Sequence, residues 1–196
     1  MGSLLATLSA ALEARDPYLR GHSARVTTVA AGLARRLGWR GERLDTLRIG
    51  GSLHDVGKLA VNASVLSKPG PLTDGELAQI RMHPIAGARL IEGVVGFRSA
   101  LPYVLYHHER WDGSGYPHRL GGEEIPIEGR LLGVADAFDA MTSFRPYRAA
   151  LSVEQALAEL QRCAGSQFDP ELTETFVDGW RTGEIAAVES PSGIAI

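Results

Sequence analysis

A chain of 196 residues with 44% hydrophobic side chains can bury one sizeable core and fits a single domain. The formal net charge of −3 excludes an overall basic field, so binding to long nucleic acid has little electrostatic support. No apolar run is long enough to span a membrane and no signal-peptide pattern opens the chain, so we expect a cytoplasmic protein without membrane insertion. The single cysteine, Cys163, cannot form an internal disulfide, which fits a reducing compartment.

Helical periodicity dominates the chain, and strand-like alternation is nearly absent. The first predicted helix covers about 3–15, and its leucines form a face that packs either on the domain or on a second copy of the chain. The next helix carries an apolar stripe from Val26 to Leu37 and closes at Gly38. These two helices begin an all-α pattern.

The remaining predicted helices follow with short breaks. Thr73 and Glu76 form a capping-box signal after the helix-breaking sequence Pro69-Gly70-Pro71. The predicted helices cover about 41–56, 73–93, 97–110, 128–142, 151–164 and 169–181. The sequence therefore predicts an all-α, compact helical bundle with one long functional loop.

That loop begins with two adjacent histidines, His107 and His108, which are suitable paired donors to a metal ion. Gly113 and Gly115 free its backbone for positive φ and close approach to a ligand, and Pro117 fixes the exit from the turn. A His-His pair alone is equally consistent with hydrogen-bonded structural residues. Partners elsewhere in the chain must decide between the two interpretations.

Candidate partners lie in two further segments. His54-Asp55 ends an apolar helix and is followed by Lys58, which taken alone fits a solvated lysine. Asp136 lies within the apolar run 131–138, where a buried carboxylate is costly unless it is paired or bound to a metal. These residues favour a site, but they do not define it.

The chain resembles the HD-GYP subgroup of the HD phosphohydrolase superfamily from about Glu13 to Phe176. The matching motifs are Gly21-His22-Ser23, Leu53-His54-Asp55-Val56-Gly57-Lys58, Lys68-Pro69-Gly70, His83, His107-His108 through Gly115-Tyr116-Pro117, Gly122-Glu123-Glu124-Ile125-Pro126, Val134 through Ser143, Arg145-Pro146-Tyr147-Arg148 and Phe168-Asp169-Pro170. The resemblance implies an HD-domain-like helical fold and a functional loop that carries the Gly-Tyr-Pro motif.

The resemblance also implies a metal centre. Its ligands would be His22, His54, Asp55, His83, His107, His108 and Asp136, with Asp55 bridging two divalent ions. This mixed nitrogen and oxygen set suits iron or manganese, with zinc or nickel allowed by ligand type. Two such ions share a hydroxide and clamp the oxygens of an in-line displacement at phosphorus.

The implied activity is hydrolysis of cyclic di-GMP to linear pGpG, with Asp55 and Lys58 in the catalytic machinery. Lys58 would stabilise the charge of the scissile phosphate. The remaining substrate contacts would be Arg145, Arg148, Asp112, Gly115, Tyr116 and Pro117. The Gly-Tyr-Pro loop is open to a second interpretation, as a docking surface for diguanylate cyclases.

One departure from the family pattern bears on the metal count. Some relatives have a glutamate four residues before the first histidine, which adds a third metal, whereas this chain has Tyr18 there. Tyrosine, with an ordinary pKa of about 10, is a poor ligand at neutral pH. The spacing of Glu13 does not match that position. We therefore expect two metals and pGpG as the main product, with further breakdown to GMP left open.

Other interpretations stay open. No residue of the sequence is assigned to recognition of the substrate's bases, so the substrate could be another cyclic dinucleotide such as cyclic GMP-AMP. A non-catalytic cyclic di-GMP receptor is the alternative from a different class. A general HD hydrolase is disfavoured, because it would not require His107, His108 and the Gly-Tyr-Pro loop. We expect an N-terminal helix at 1–15 that could end a linker, a catalytic domain at 16–181 and a tail at 182–196, with homodimerisation open.

Overall fold

The computed structural model of the chain describes residues 2–16, 19–144 and 149–186. All regular elements in these ranges are helical, apart from one isolated bridge between Ala164 and Phe168. The α-helices are α1 (Gly2–Arg15), α2 (His22–Arg36), α3 (Glu42–Leu53), α4 (Ala63–Leu66), α5 (Asp74–Arg81), α6 (His83–Ile91), α7 (Leu101–Tyr106), α8 (Ile127–Thr142), α9 (Val153–Arg162) and α10 (Pro170–Arg181). Short 3-10 turns occupy Val56–Ala60, Arg98–Ala100 and Gly122–Glu124. The predicted all-α class is confirmed.

The first helix packs on its own domain. Leu12 is buried, and Leu5 and Leu8 are partly buried against neighbouring apolar side chains, whereas Leu4 is exposed. At the end of α1, Arg15 Nη2 donates a hydrogen bond to the carbonyl oxygen of Val61, at a distance of 2.7 Å. Most of the leucine face is therefore covered by this chain.

Three predicted helices are shorter or divided in the structure. The helix predicted at 41–56 ends at Leu53, and a turn and a 3-10 segment follow. The helix predicted at 73–93 is two helices, because Pro84 lacks an N–H group and occupies the first turn of a new helix, α6. Pro102 likewise marks the first turn of α7, which ends before His107. The predicted cap at Thr73 is present, with Glu76 N donating to Thr73 Oγ1.

Two apolar clusters hold the helices together. The larger one joins side chains of α2, α3, α7, α8, α9 and α10 and includes Leu33, Leu47, Leu132, Leu160 and Phe176. The smaller one consists of Leu53, Val56, Ile91, Phe97 and Val104. The described helices include none that is both long enough and apolar enough to cross a bilayer.

Close backbone approach fixes the 3-10 turn after α3 against α6. A Cβ atom added to Gly57 would lie 1.8 Å from the carbonyl oxygen of His83 and 2.5 Å from the amide nitrogen of Gly87. Because both neighbours are backbone atoms, no side chain can move aside to admit a larger residue. Gly57 thus sets the distance between the turn that follows Asp55 and the helix that begins at His83.

Candidate metal centre

His54 and Asp55 occupy the turn between α3 and the first 3-10 segment. Both side chains are buried, with exposed fractions of 0% and 2%. His54 Nδ1 donates a hydrogen bond to the carbonyl oxygen of Gly51 at 2.7 Å. Because the ring proton is on Nδ1, Nε2 carries a lone pair that takes no part in this hydrogen bond.

Two more imidazoles are held in the same way. His83 Nδ1 donates to the carbonyl oxygen of Ile80 at 2.7 Å, and His107 Nδ1 donates to that of Tyr103 at 3.0 Å. Their Nε2 atoms lie only 3.3 Å apart. In these neutral tautomers both Nε2 atoms are acceptors, so they cannot hydrogen-bond to each other. A cation near both atoms would remove the repulsion between their lone pairs.

His22, at the first position of α2, is held by a carboxylate instead. Its Nδ1 donates to Asp139 Oδ2 at 2.7 Å, and its Nε2 lies 3.2 Å from Asp136 Oδ1. Asp139 also accepts hydrogen bonds from Arg25 Nε at 2.6 Å and Arg25 Nη2 at 3.1 Å. Burial opposes the charged imidazole, but the hydrogen bonds to Asp136 and Asp139 outweigh it and raise the pKa of His22 to about 9.

The electrostatics of the other groups suit metal ligands. Burial lowers the pKa of His83 to about 4 and that of His108 to about 3, so both rings are neutral near pH 7. Burial would raise the pKa of Asp55, but the Lys58 ammonium group and the nearby imidazoles hold it well below its usual range. Neutral imidazoles and ionised carboxylates are the forms that bind divalent cations.

The seven side chains form two groups that could each hold a metal ion, with ligand atoms within 4.8 Å of one another. One group contains Asp55, His83, His107 and His108, and the other contains His22, His54 and Asp136. Within the described chain, the buried atoms His54 Nε2 and Asp55 Oδ1 have no hydrogen-bond partner. Buried nitrogen and oxygen atoms that lack a hydrogen-bond partner can instead give their lone pairs to a divalent ion. The two atoms therefore fit a metal site.

The Gly-Tyr-Pro loop packs on the histidine pair. The Tyr116 ring stacks on His108, with 4.9 Å between the ring centroids and 26° between the planes. Gly115 passes so close to the chain that an added Cβ would lie 2.4 Å from the amide nitrogen of Arg110. Tyr116 joins Pro117 through a cis peptide bond. By these contacts the loop lies directly beside the candidate metal ligands.

A cavity of about 930 Å³ opens from these ligands. Lys58 lines it, and its Nζ lies 2.7 Å from Asp55 Oδ2. Gly115 and Tyr116 also line it, whereas Asp112 and Pro117 are not among the lining residues. Asp112 Oδ1 instead accepts hydrogen bonds from Ser114 N and Ser114 Oγ within its own turn. Tyr18, Arg145 and Arg148 lie outside the described residues.

Sequence reasoning gave no role to several residues that support this site. Asp139 accepts a hydrogen bond from His22 and Arg25 donates to Asp139, so both orient His22; Asp139 lies within the matching motif that runs from Val134 to Ser143. Glu109 is buried and accepts hydrogen bonds from the backbone N–H groups of His118 and Leu120, which ties both ends of the loop together. Its position directly after the histidine pair was the only available signal.

Comparisons with known proteins agree with the geometry. Residues 6–172 match the HD domain family. The cyclic di-GMP phosphodiesterase response regulator RpfG of Xanthomonas campestris is 40% identical over 177 residues, which cover 89% of this chain and 47% of that protein. The 3'3'-cGAMP-specific phosphodiesterase 2 of Vibrio cholerae is 37% identical over 179 residues, which cover 90% of this chain and 34% of that protein. The chain spans less than half the length of these relatives.

A solved structure shows the same fold. The crystal structure of the cyclic GMP-AMP specific phosphodiesterase V-cGAP3 of Vibrio cholerae superimposes with a TM-score of 0.66 at 21% sequence identity. The match covers 93% of this chain and 49% of that chain. Together with the family match over residues 6–172, these comparisons show that the chain belongs to the HD-domain family, as its HD-GYP motifs predict.

Proposed function

We propose that the chain is a metal-dependent phosphodiesterase that opens cyclic di-GMP to linear pGpG. The observation that carries the proposal is the convergence of seven histidine and aspartate side chains beside a cavity of about 930 Å³. A relative named as a cyclic di-GMP phosphodiesterase at 40% identity supports the choice of substrate. We assign the activity to residues 16–181, with the helix at 1–15 before it and a tail at 182–196, and place it in the cytoplasm.

Two divalent ions would be held by the two ligand groups. The position of Asp55 supports a bridging role, because its Oδ1 lies 3.4 Å from His83 Nε2 and its Oδ2 lies 3.6 Å from His54 Nε2. The mixed nitrogen and oxygen ligands favour iron or manganese, with zinc or nickel as the alternatives to test. When bound, such a pair supplies Lewis acidity at the phosphoryl oxygens and makes a nucleophile from water near neutral pH.

The chain's own residues bind and orient the substrate around that pair. Lys58, whose side chain is 18% exposed, faces the cavity and would stabilise negative charge that develops on the scissile phosphate. Asp139 accepts the hydrogen bond from His22 Nδ1 and so directs Nε2 of the ring toward Asp136, and Tyr116 covers one face of His108. We retain Asp112, Pro117, Arg145 and Arg148 as proposed substrate contacts on the resemblance alone.

The second candidate is hydrolysis of cyclic GMP-AMP. It is favoured by the relative at 37% identity that is named as specific for 3'3'-cGAMP. Cyclic di-GMP and cyclic GMP-AMP differ in one base, so a metal centre that acts on the phosphate does not by itself distinguish them. A docking role of the Gly-Tyr-Pro loop toward diguanylate cyclases would add a partner without changing this chemistry.

The deciding experiment compares both substrates on protein that is prepared anaerobically and loaded with iron or manganese. We expect pGpG from cyclic di-GMP, and the ratio of kcat/KM values for the two dinucleotides identifies the substrate. Asp55→Asn should abolish turnover and weaken metal loading, whereas Asp178→Asn, at an exposed surface pair with Arg36, serves as the control. Metal-loaded protein that cleaves neither dinucleotide would refute the proposal, and a signalling effect that survives Asp55→Asn would favour a receptor.

A further inference from the structure

The cavity is lined by four basic residues of the described chain besides its histidines, and three of them are paired with carboxylates. Lys58 Nζ lies 2.7 Å from Asp55 Oδ2, and Arg130 Nη1 lies 2.6 Å from Asp169 Oδ2. Arg110 Nη2 lies 3.0 Å from Asp112 Oδ2. Their positive charges are thus largely compensated before any ligand binds.

The fourth basic residue, Arg81, differs. It is exposed at the end of α5 and lines the same cavity, but it forms no ion pair with any carboxylate of the described chain. Its guanidinium carbon lies 5.6 Å from the centroid of the Tyr116 ring. A ring face attracts a cation without neutralising its charge. Arg81 therefore presents uncompensated positive charge and free N–H donors at the cavity.

The Tyr116 ring lies next to both the histidine pair and this cation. It stacks on His108, with 4.9 Å between the ring centroids, and the Arg81 guanidinium lies over the same ring. Arg81 is thus near the candidate metal ligands and offers N–H donors rather than a metal-ligating atom.

A cyclic dinucleotide has two phosphodiester groups, and only one of them can lie at the metal centre during cleavage. Resting on the proposed function, we infer that Arg81 binds the second phosphate, the one that is not being cleaved. A guanidinium group offers parallel N–H donors that match two phosphate oxygens. Arg81 would thus select substrates that have a second phosphate. It would also hold the cyclic dinucleotide so that the other phosphate lies beside Lys58.

The test compares a substrate that has two phosphates with one that has a single phosphodiester. Arg81→Ala should raise KM for cyclic di-GMP by about tenfold, the loss of one charge-assisted contact at an exposed site, with kcat nearly unchanged. Turnover of bis(p-nitrophenyl) phosphate, which has no second phosphate, should be unchanged. Arg81→Lys should recover part of the loss. Arg89→Ala, which removes an exposed arginine of α6 that does not line the cavity, is the control.

The outcomes separate the inference from the proposed function. Equal losses of activity on both substrates would mean that Arg81 acts through Tyr116 and His108 on the metal centre. No loss of activity on either substrate would mean that Arg81 has no role in binding. Both results overturn the inference. Cleavage of bis(p-nitrophenyl) phosphate without cleavage of cyclic di-GMP refutes the proposed function. Equilibrium binding of cyclic di-GMP to metal-free protein then decides on Arg81, since weaker binding by Arg81→Ala supports the contact, while equal or absent binding overturns it.

Discussion

Asp139 holds His22, a proposed metal ligand, without being a proposed ligand itself, so its replacement tests how the site is supported. Asp139 is 4% exposed, and its carboxylate accepts hydrogen bonds from His22 Nδ1 at 2.7 Å and from Arg25 Nε at 2.6 Å. Asp139→Asn keeps an acceptor for the imidazole but removes the negative charge. Asp139→Ala removes both, and the His22 ring is then free to rotate or to change tautomer.

The size of the effect follows from these contacts. Loss of the partner behind a metal-bound imidazole costs about 10- to 100-fold in metal affinity, or about 1.4–2.7 kcal/mol. We expect Asp139→Asn near the lower value, because the hydrogen bond to His22 survives, and Asp139→Ala near the higher one. Asp139→Ala also leaves the partly buried guanidinium of Arg25 without its carboxylate. For this reason the free energy of unfolding of metal-free Asp139→Ala should be lower than that of the wild type by about 1–3 kcal/mol.

The assay is competition between the protein and a chelator of known affinity for Mn²⁺, with bound metal measured by mass spectrometry. Asp178→Asn is a matched control, since its carboxylate is 59% exposed and pairs with Arg36 away from the cavity. This control should bind metal as the wild type does. If Asp139→Ala retains wild-type metal affinity, then the hydrogen bond to His22 does not support the metal centre and the reasoning is wrong.

Three further predictions test the surrounding structure. Gly57→Ala should lower the free energy of unfolding by about 3 kcal/mol in urea titrations, because its Cβ would meet the backbone of α6, whereas Gly75→Ala, which has no atom within 4 Å, should be neutral or slightly stabilising. Lys58→Ala should lower kcat for cyclic di-GMP by about 100-fold through loss of transition-state stabilisation, and unchanged kcat would show that its charge is not used. Chelation of divalent ions should lower the melting temperature, because a free metal concentration of 100 times the Kd stabilises the folded state by about 2.7 kcal/mol. An unchanged melting temperature would argue against a resident metal.

The sequence predicts the helices well where their ends carry local signals. Thr73 opens α5 with a capping box, and Gly38, with φ of 80°, follows α2 as expected. Periodicity fails at residues 73–93, where Pro84 occupies the first turn of a separate helix that begins at His83 and places its ring beside His107. Apolar periodicity alone does not show this break, whereas the proline marks it.

The candidate ligands were predictable because the motifs name them, but their supporting contacts were not. The bond from His22 to Asp139 joins residues 117 positions apart, and no local pattern pairs them. The same holds for Arg81, whose lack of an ion pair with any carboxylate of the described residues becomes visible only once the helices are packed. Residue chemistry thus indicates the candidate metal-binding groups, while packing determines their tautomers, charges and neighbours.

The most direct test of a two-metal phosphodiesterase is turnover of cyclic di-GMP by metal-free protein that is titrated anaerobically with Mn²⁺. The two ligand groups predict that hydrolysis to pGpG rises until two ions are bound per chain and then reaches a plateau. A plateau at one ion per chain, or no pGpG at saturating Mn²⁺ and Fe²⁺, would contradict the account.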